Sequence, residues 1–137
     1  MNKKLILTDI DGVMLDWEGA FHDWMEAKGF QRNGIATYDM HVAYGQKKSH
    51  VKALISEFNN SAWMCCLKPL RDVKYGVEQL VAAGYRFGAI TSLSLDPYAA
   101  ELRKQNLKDL FGDVFDFVQC LDTGADKDEA LLPYKDS

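Results

Sequence analysis

The stretch of sequence that decides the fold lies near the amino terminus and reads LILTDIDG over residues 5–12. Residues 4–8 form an apolar, β-favouring run in which apolar and polar side chains do not alternate. Such a run is typical of a strand that is buried on both faces of a parallel sheet. It leads directly into Asp9, Asp11 and Gly12. We therefore predict a buried strand that ends at two carboxylates in a turn.

Strands and helices continue to alternate in the second half of the chain. Tyr85 to Ile90 reads as a second buried strand that ends at Thr91-Ser92, and Val114 to Cys120 reads as a third. Helices are predicted after Asp72, at Asp96-Pro97 and at Lys127, where Asp126 and Glu129 have the spacing of a capping box. This alternation predicts an α/β fold, with a parallel sheet and helices on both of its faces.

A long stretch separates the first strand from the helix at Asp72, although strand-to-helix loops usually have only ~2–6 residues. We interpret residues 16–66 as an insertion with its own helices at 20–28 and 49–58, and residues 30–45 as a loop. The core then comprises residues 1–15 and 67–137. An insertion at this point is expected to lie over the carboxyl ends of the strands, where open α/β sheets bind ligands.

Composition narrows the class of protein. The chain has 137 residues and a formal charge of −4, so there is no basic excess for binding a nucleic acid polymer or an anionic membrane. We find no signal peptide and no membrane span, and expect a cytoplasmic protein. Cys65, Cys66 and Cys120 lack the spacing of zinc ligands and are interpreted as reduced thiols in or near the core.

The candidate chemistry lies at the predicted ends of the three strands. Asp9 and Asp11 follow the first strand, Thr91-Ser92 end the second, and Lys127 comes just after the third. Carboxylates that lie close together need a compensating cation, and oxygen ligands suit a hard divalent ion such as Mg²⁺. Together with hydroxyl groups and an ammonium group, they form a set suited to phosphoryl transfer through an aspartyl-phosphate.

These three places resemble the motifs of the haloacid dehalogenase (HAD) superfamily of phosphotransferases. Residues 5–13 are similar to its first motif, residues 87–91 to its second, and residues 124–127 to its third. The resemblance spans nearly the whole chain and implies a Rossmann-like core, in which residues 16–66 form a small helical cap of type C1. The first motif is fairly specific, whereas the other two gain weight from their order and placement.

The resemblance also implies a role for each residue. Asp9 matches the nucleophile and a magnesium ligand. Asp11 matches the general acid and base, and its main-chain carbonyl matches a second metal ligand. Thr91 matches the hydroxyl that orients the phosphate, with Gly12 and Ser92 as further phosphate-binding candidates. Lys127 matches the lysine that balances the charge of nucleophile and phosphate.

The activity implied is hydrolysis of a small phosphomonoester with Mg²⁺ as cofactor. The first motif and the short cap resemble the 5′(3′)-deoxyribonucleotidases, so a nucleoside monophosphate is the first substrate candidate, and sugar phosphates stay open. Two rival readings are a catalytically incomplete module that binds metal, phosphate or a partner, and a receiver-type signalling domain. The insertion and the threonine at the end of the second strand argue against the receiver.

The family's fourth motif, acidic residues after a fourth core strand, has no clear match. Only ten residues follow Lys127, and they include Pro133 and a single acid near the terminus, Asp136. We expect either a C-terminally incomplete chain or a site that lacks its third protein ligand for magnesium. The first strand would then have an open edge, which a second copy of the chain could cover in a homodimer.

Overall fold

The computed structural model describes residues 4–35, 37, 39–122 and 126–134. In this part of the chain, a three-stranded parallel sheet is flanked by helices, which confirms the predicted α/β, Rossmann-like class. The strands are β1 (Lys4–Thr8), β2 (Tyr85–Ser92) and β3 (Phe115–Leu121), in the order β1-β2-β3. The helices are α1 (Trp17–Ala27), α2 (Met40–Tyr44), α3 (Lys48–Asn59), α4 (Val73–Ala82), α5 (Pro97–Phe111) and α6 (Asp128–Leu131), with 3₁₀ helices at Ala62–Cys66 and Leu132–Tyr134.

Burial differs between the strands, and here one prediction is wrong. β2 is buried along its centre, as predicted, because it has a neighbour on each side. β1 begins where the sequence predicts, but Lys4 and Leu5 are exposed and the rest of the strand is only half-buried. Within the described residues, β1 pairs with β2 alone and is an edge strand. Its unbroken apolar pattern therefore does not correspond to burial on both faces here.

Different groups pack on the two faces of the sheet. Both crossovers move along the sheet in the same direction, so right-handed connections place α4 and α5 on one face, where the two helices contact each other. Phe87 and Ala89 of β2 belong to the same core cluster as Val77 of α4 and Leu107 of α5. Because side chains alternate along a strand, Gly88 between them faces the other side of the sheet. There the Phe117 ring lies over Gly88 and stacks on Tyr134 at 5.4 Å between ring centroids. A Cβ at residue 88 would collide with this ring, so a larger residue there would have to displace the Phe117 side chain.

In its described residues, the segment between β1 and α4 contains three helices and a 3₁₀ helix around its own aromatic cluster. Trp17, Phe21 and Trp24 pack on one another and on Phe58, with Trp17 and Phe21 stacked at 4.9 Å. These contacts join α1 to α3 through a shared aromatic core. The predicted loop at residues 30–45 is corrected by α2, which ends at Gly45 in the left-handed conformation with a φ of 63°.

α1 begins three residues earlier than predicted, α3 is one residue longer at each end, and the three later helices differ from the predictions in a cap or an end. Asp96 caps α5 as predicted, through its side chain and the Tyr98 amide at 2.9 Å, but the helix continues to Phe111. Asp72 precedes α4 but makes no side-chain capping bond, because it has a φ of 65°. α6 begins at Asp128, one residue later than predicted, and the Asp126 carboxylate accepts a hydrogen bond from the Asp128 amide.

No helix among the described residues has the length and apolar character needed to cross a membrane.

Candidate active site

A compact turn after β1 presents the two predicted carboxylates. The Ile10 carbonyl oxygen accepts hydrogen bonds from the amides of Val13, Met14 and Leu15, the shortest at 2.8 Å. Gly12 has a φ of 76°, a conformation that side chains other than glycine rarely adopt. The turn therefore depends on glycine at this position, and it holds Asp9 and Asp11 at the carboxyl end of β1.

Asp9 and Lys127 come together across the ends of the sheet. The Lys127 Nζ lies 3.4 Å from the Asp9 Oδ2, and the side chains are 30% and 40% exposed, respectively. The other Asp9 carboxylate oxygen accepts a hydrogen bond from the Ile10 amide at 2.8 Å. The ammonium group of the predicted lysine thus contacts the carboxylate of the residue predicted to be the nucleophile. A half-exposed pair of this kind adds only ~0–1 kcal/mol to stability, so its proximity matters more for charge balance than for folding.

Asp11 pairs with a residue that the sequence analysis did not single out. The Arg103 Nη1 on α5 donates a hydrogen bond to the Asp11 Oδ1 at 2.6 Å, and the Arg103 side chain is fully buried whereas Asp11 is 22% exposed. The Arg103 Nη2 contacts the Met64 sulfur at 3.6 Å, and its Nε has no hydrogen-bond partner among the described residues. The ion pair with Asp11 is therefore the main compensation for a buried guanidinium charge.

The groups around Asp11 have opposite effects on the pKa of its carboxyl group. Removal from water raises the pKa of the Asp11 carboxyl above its ordinary value, and the nearby Asp9 carboxylate acts in the same direction. The Arg103 guanidinium and the Lys127 ammonium lower this pKa, but burial has the larger effect. A carboxyl group with these neighbours can hold or release a proton beside a second, more exposed carboxylate, which is the requirement for general acid and base chemistry.

The phosphate-binding candidates are placed differently from one another. Thr91 is fully buried in β2, and its hydroxyl has no hydrogen-bond partner among the described residues. Ser92 ends β2 and lines a cavity together with Asp11. The Gly12 amide donates to the Leu15 carbonyl oxygen at 3.0 Å and is used within the turn. Phosphate binding by these three residues stays a prediction, and the unpartnered Thr91 hydroxyl is the observation that supports it.

A cavity of about 450 Å³ lies between the strand ends and the helices that precede α4. Asp11 and Ser92 lie on its sheet side, and Trp17 and Asn59 on its helical side. The remaining lining residues all belong to α2, α3 or the residue before α2: Asp39, Met40, His41, Lys48, Val51, Lys52 and Ile55. Lys48 is exposed and borders this cavity. The volume of this cavity is within the usual range of small-molecule sites, ~300–1,000 Å³.

The oxygen ligands near Asp9 form only a partial metal site. The Asp9 carboxylate and the Asp11 main-chain carbonyl are hard oxygen donors, which fits Mg²⁺. Among residues 4–35, 37, 39–122 and 126–134, no group of three or more acidic, histidine or cysteine side chains is arranged to hold a metal ion. Asp136, the one acid considered for the fourth motif, lies outside the described residues.

Arg103 is the functional candidate that the sequence analysis missed, although the sequence contains a signal. The buried residues of α5 are Ala99, Arg103, Asn106 and Leu107, which share one helical stripe. An arginine on the buried stripe of an amphipathic helix must have a partner, since an unpaired charge is too costly to bury. Its partner, Asp11, lies far away in the sequence, so only the folded structure identifies it.

Comparisons with known proteins give structural neighbours but no sequence family. No model of a known family matches the chain, and no curated protein matches it. A protein assigned as a phosphoglycolate phosphatase from Lactobacillus delbrueckii subsp. bulgaricus is 16% identical with a TM-score of 0.50, over 96% of this chain and 73% of that protein.

Two further structures match less well. CbbY from Rhodobacter sphaeroides, solved with phosphate, is 18% identical with a TM-score of 0.48, over 91% of this chain and 66% of CbbY. A HAD family hydrolase from Deinococcus radiodurans, solved with phosphate and sodium, is 18% identical with a TM-score of 0.44, over 82% of this chain and 56% of that protein. The chain thus spans about two thirds or less of the length of these two proteins. At this identity the comparisons show fold alone, and the chain shares its α/β fold with the protein from Lactobacillus.

Proposed function

We propose that this chain is a HAD-like phosphatase that hydrolyses a small phosphomonoester through an aspartyl-phosphate on Asp9. The observation that carries the proposal is the position of the Lys127 ammonium 3.4 Å from the Asp9 carboxylate at the carboxyl ends of parallel strands. In the same turn, Asp11 has a raised pKa because of its burial, and it lies beside the cavity. A nucleophile with a balancing cation and a neighbouring acid is the arrangement that this two-step reaction needs.

The proposed reaction uses these side chains as follows. A carboxylate oxygen of Asp9 forms a bond to the phosphorus atom as the bond from phosphorus to the substrate oxygen breaks. Asp11 gives its proton to that leaving oxygen. Asp11 then accepts a proton from a water molecule, which attacks the phosphorus atom, restores the Asp9 carboxylate and releases inorganic phosphate. Lys127 balances the negative charge, and the Thr91 and Ser92 hydroxyls orient the phosphate oxygens.

Magnesium is the proposed cofactor, held by the Asp9 carboxylate and the Asp11 main-chain carbonyl. When bound, it would neutralise charge on the phosphate oxygens. The described residues supply these two protein oxygens and no cluster of three side-chain ligands, whereas Mg²⁺ prefers about six oxygens in octahedral order. We therefore propose weak binding, with most of the coordination supplied by water and phosphate.

We expect turnover of p-nitrophenyl phosphate to depend on added Mg²⁺. Chelation with EDTA should reduce turnover to background, and an excess of Mg²⁺ should restore it, because the charges of phosphate and nucleophile would otherwise repel each other. Calorimetric titration of the wild-type protein and of Asp9→Asn gives an independent measure of binding at this site. Full turnover in EDTA would contradict the proposed cofactor. Magnesium or phosphate binding without any turnover would favour the rival reading, a catalytically incomplete binding module.

The substrate is proposed to be a nucleoside monophosphate, with residues 16–66 as the cap that selects it. The two chain passages that join this segment to the core pair with each other: the Asp16 amide donates to the Lys68 carbonyl oxygen at 2.8 Å, and Leu15 bridges Pro69. The segment also contacts the core through Asn59, whose side-chain amide donates to the Leu93 carbonyl oxygen at 3.2 Å. These contacts place the aromatic and cationic groups of the segment beside the cavity at the strand ends.

Substrate selection by this segment makes a testable prediction. We expect Lys52→Gln to raise the KM for nucleoside monophosphates several-fold while leaving kcat for p-nitrophenyl phosphate unchanged, because Lys52 lines the cavity from α3 and does not belong to the turn that holds Asp9 and Asp11. Lys74→Gln, which alters an exposed lysine of α4, is the matched control. Equal kcat/KM values for wild type and Lys52→Gln across nucleotides and sugar phosphates would contradict a selective role for this lysine.

A homodimer stays a proposal. Its support is the outer edge of β1, which has no paired strand within the described part of the chain, while Leu5 on this strand is 38% exposed. Unpaired strand edges are templates for pairing with another chain. Light scattering during size-exclusion chromatography tests the proposal directly, since a monomer over a wide concentration range would exclude it.

A further inference from the structure

Two adjacent cysteine side chains meet at the end of the segment between β1 and α4. Cys65 and Cys66 end the 3₁₀ helix Ala62–Cys66, and their sulfur atoms lie 2.6 Å apart. Cys66 is exposed and Cys65 is half-buried. Both line a cavity of about 580 Å³, which also has Trp63 and Lys68 on its wall. The two thiols are therefore in contact with each other and open to a small molecule from solvent.

We propose that Cys65 and Cys66 form a reversible disulfide with each other, as a redox site separate from the Asp9 site. A small-molecule disulfide such as oxidised glutathione is the oxidant. The thiolate of Cys66 attacks one sulfur of glutathione disulfide and releases one glutathione thiolate. The Cys65 sulfur, after losing its proton, attacks the Cys66 sulfur of the mixed disulfide and releases the second glutathione. Two protein thiols are oxidised and one glutathione disulfide is reduced to two thiols.

The surroundings determine the order of these steps. The hydrogen bond with Cys66 raises the pKa of the Cys65 thiol, so Cys65 retains its proton while the more exposed Cys66 meets the oxidant first. The second step is intramolecular, and the sulfur atoms are already in contact. Capture of the mixed disulfide by Cys65 should therefore be much faster than its reaction with a second glutathione disulfide.

The resulting bond should be easy to reduce again. Adjacent α-carbons are ~3.8 Å apart across a trans peptide, whereas disulfides usually join α-carbons that are ~4.4–6.8 Å apart. A bond between neighbouring residues is therefore strained, and strained or exposed disulfides have the more oxidising potentials found in labile, regulatory sites. This geometry fits a reversible modification and not a permanent structural crosslink.

The position of the pair connects it to the buried arginine. Cys65 directly follows Met64, whose sulfur contacts the Arg103 Nη2 at 3.6 Å. Cys66 directly precedes Leu67, whose amide and carbonyl both bond to the Asn106 side chain at 3.2 Å. Ring closure must change the backbone at residues 65 and 66, between these two points of contact with α5. We therefore expect the oxidised protein to unfold at a lower temperature than the reduced protein.

Mass spectrometry tests the proposal without relying on enzymatic activity. The protein is incubated with oxidised glutathione, its remaining thiols are alkylated, and the tryptic peptide 53–71, which holds both cysteines, is analysed. We expect this peptide to lose two hydrogens and both alkylation sites, and dithiothreitol to restore both sites. Cys120 should stay reduced and be alkylated once the protein is unfolded, because burial raises the pKa of its thiol and slows its reaction with oxidised glutathione. The Cys66→Ser variant should form no disulfide within the peptide.

Each other outcome overturns part of the proposal. A peptide with two alkylated thiols, a stable glutathione adduct on either cysteine, or a disulfide between two chains would overturn the proposed pair. Equal melting temperatures for the oxidised and reduced wild-type protein would overturn the link to α5. The Cys66→Ser protein, treated in the same way, controls for effects of glutathione itself. None of these results depends on whether the protein hydrolyses phosphomonoesters.

Discussion

Asp9→Asn should abolish hydrolysis of phosphomonoesters while leaving the protein folded. The substitution removes the oxygen nucleophile that forms the acyl phosphate, and loss of a covalent nucleophile or of its activating group lowers kcat by ~10⁴–10⁶ in other enzymes. The fold should tolerate the change, because the pair between Asp9 and Lys127 is partly exposed and contributes only ~0–1 kcal/mol. Asparagine keeps the side-chain oxygen that accepts the hydrogen bond from the Ile10 amide.

The measurement is turnover of p-nitrophenyl phosphate in saturating Mg²⁺, with circular dichroism and urea unfolding as tests of the fold. Asp109→Asn is a matched control, because Asp109 is exposed on α5 and its carboxylate accepts a hydrogen bond from Gln105 that an asparagine oxygen can retain. This control should keep wild-type turnover. Near-normal turnover by folded Asp9→Asn would contradict the assignment of Asp9 as nucleophile and, with it, the proposed two-step reaction.

The ends of the strands were the most predictable part of the molecule. β1 has the predicted boundaries, and β2 begins at the predicted Tyr85, because runs of β-favouring residues bounded by turn residues are a local signal. β2 continues through Thr91 and Ser92, which pair with Cys120 and Leu121 of the neighbouring strand. The contact between Lys127 and Asp9 follows from the same logic, since the carboxyl ends of parallel strands meet at one edge of the sheet.

The features that the sequence analysis missed depend on contacts between distant residues. α2 is a five-residue helix without a clear apolar period, and its Tyr44 is fixed by an edge contact with the Phe21 ring and by a hydrogen bond to His22. The half-exposed state of β1 depends on its place at the edge of the sheet and not on its own residues. Arg103 could be recognised as unusual on a buried helical stripe, but its pairing with Asp11 could not be predicted from helix α5 alone.

Breaking the Asp11–Arg103 pair should have the second large effect, and here stability should change as well as activity. Arg103→Met leaves the Asp11 carboxylate, 22% exposed, without its cation, and Asp11→Asn leaves a fully buried guanidinium with a neutral partner. Removing one member of a buried ion pair typically destabilises a protein by ~3–5 kcal/mol, because the remaining charge is uncompensated. We expect Asp11→Asn to be the more destabilising change, since Arg103 has no access to water.

This expectation changes how loss of activity in Asp11→Asn should be interpreted. Loss of general acid and base catalysis by itself lowers kcat by ~10²–10⁴. A fall in the folded fraction would add to the apparent loss if rates were taken per total protein. Turnover must therefore be normalised to folded protein, at a temperature below the unfolding transition of each variant. Asp9→Asn does not need this correction, because its partner Lys127 is half-exposed.

A double-mutant cycle isolates the pair from its surroundings. Urea unfolding of wild type, Asp11→Asn, Arg103→Met and the double variant gives the coupling free energy between the two side chains. We expect the double variant to be more stable than Asp11→Asn alone, because Arg103→Met replaces the uncompensated buried charge with an apolar side chain beside Met64. Replacing both members of a buried ion pair by uncharged residues often leaves stability unchanged, whereas removing only one member lowers it. The result to compare is the loss of unfolding free energy in the double variant and the sum of the losses in the two single variants. If the two are equal, the side chains are not coupled as an ion pair, and Arg103 is a packing residue of α5.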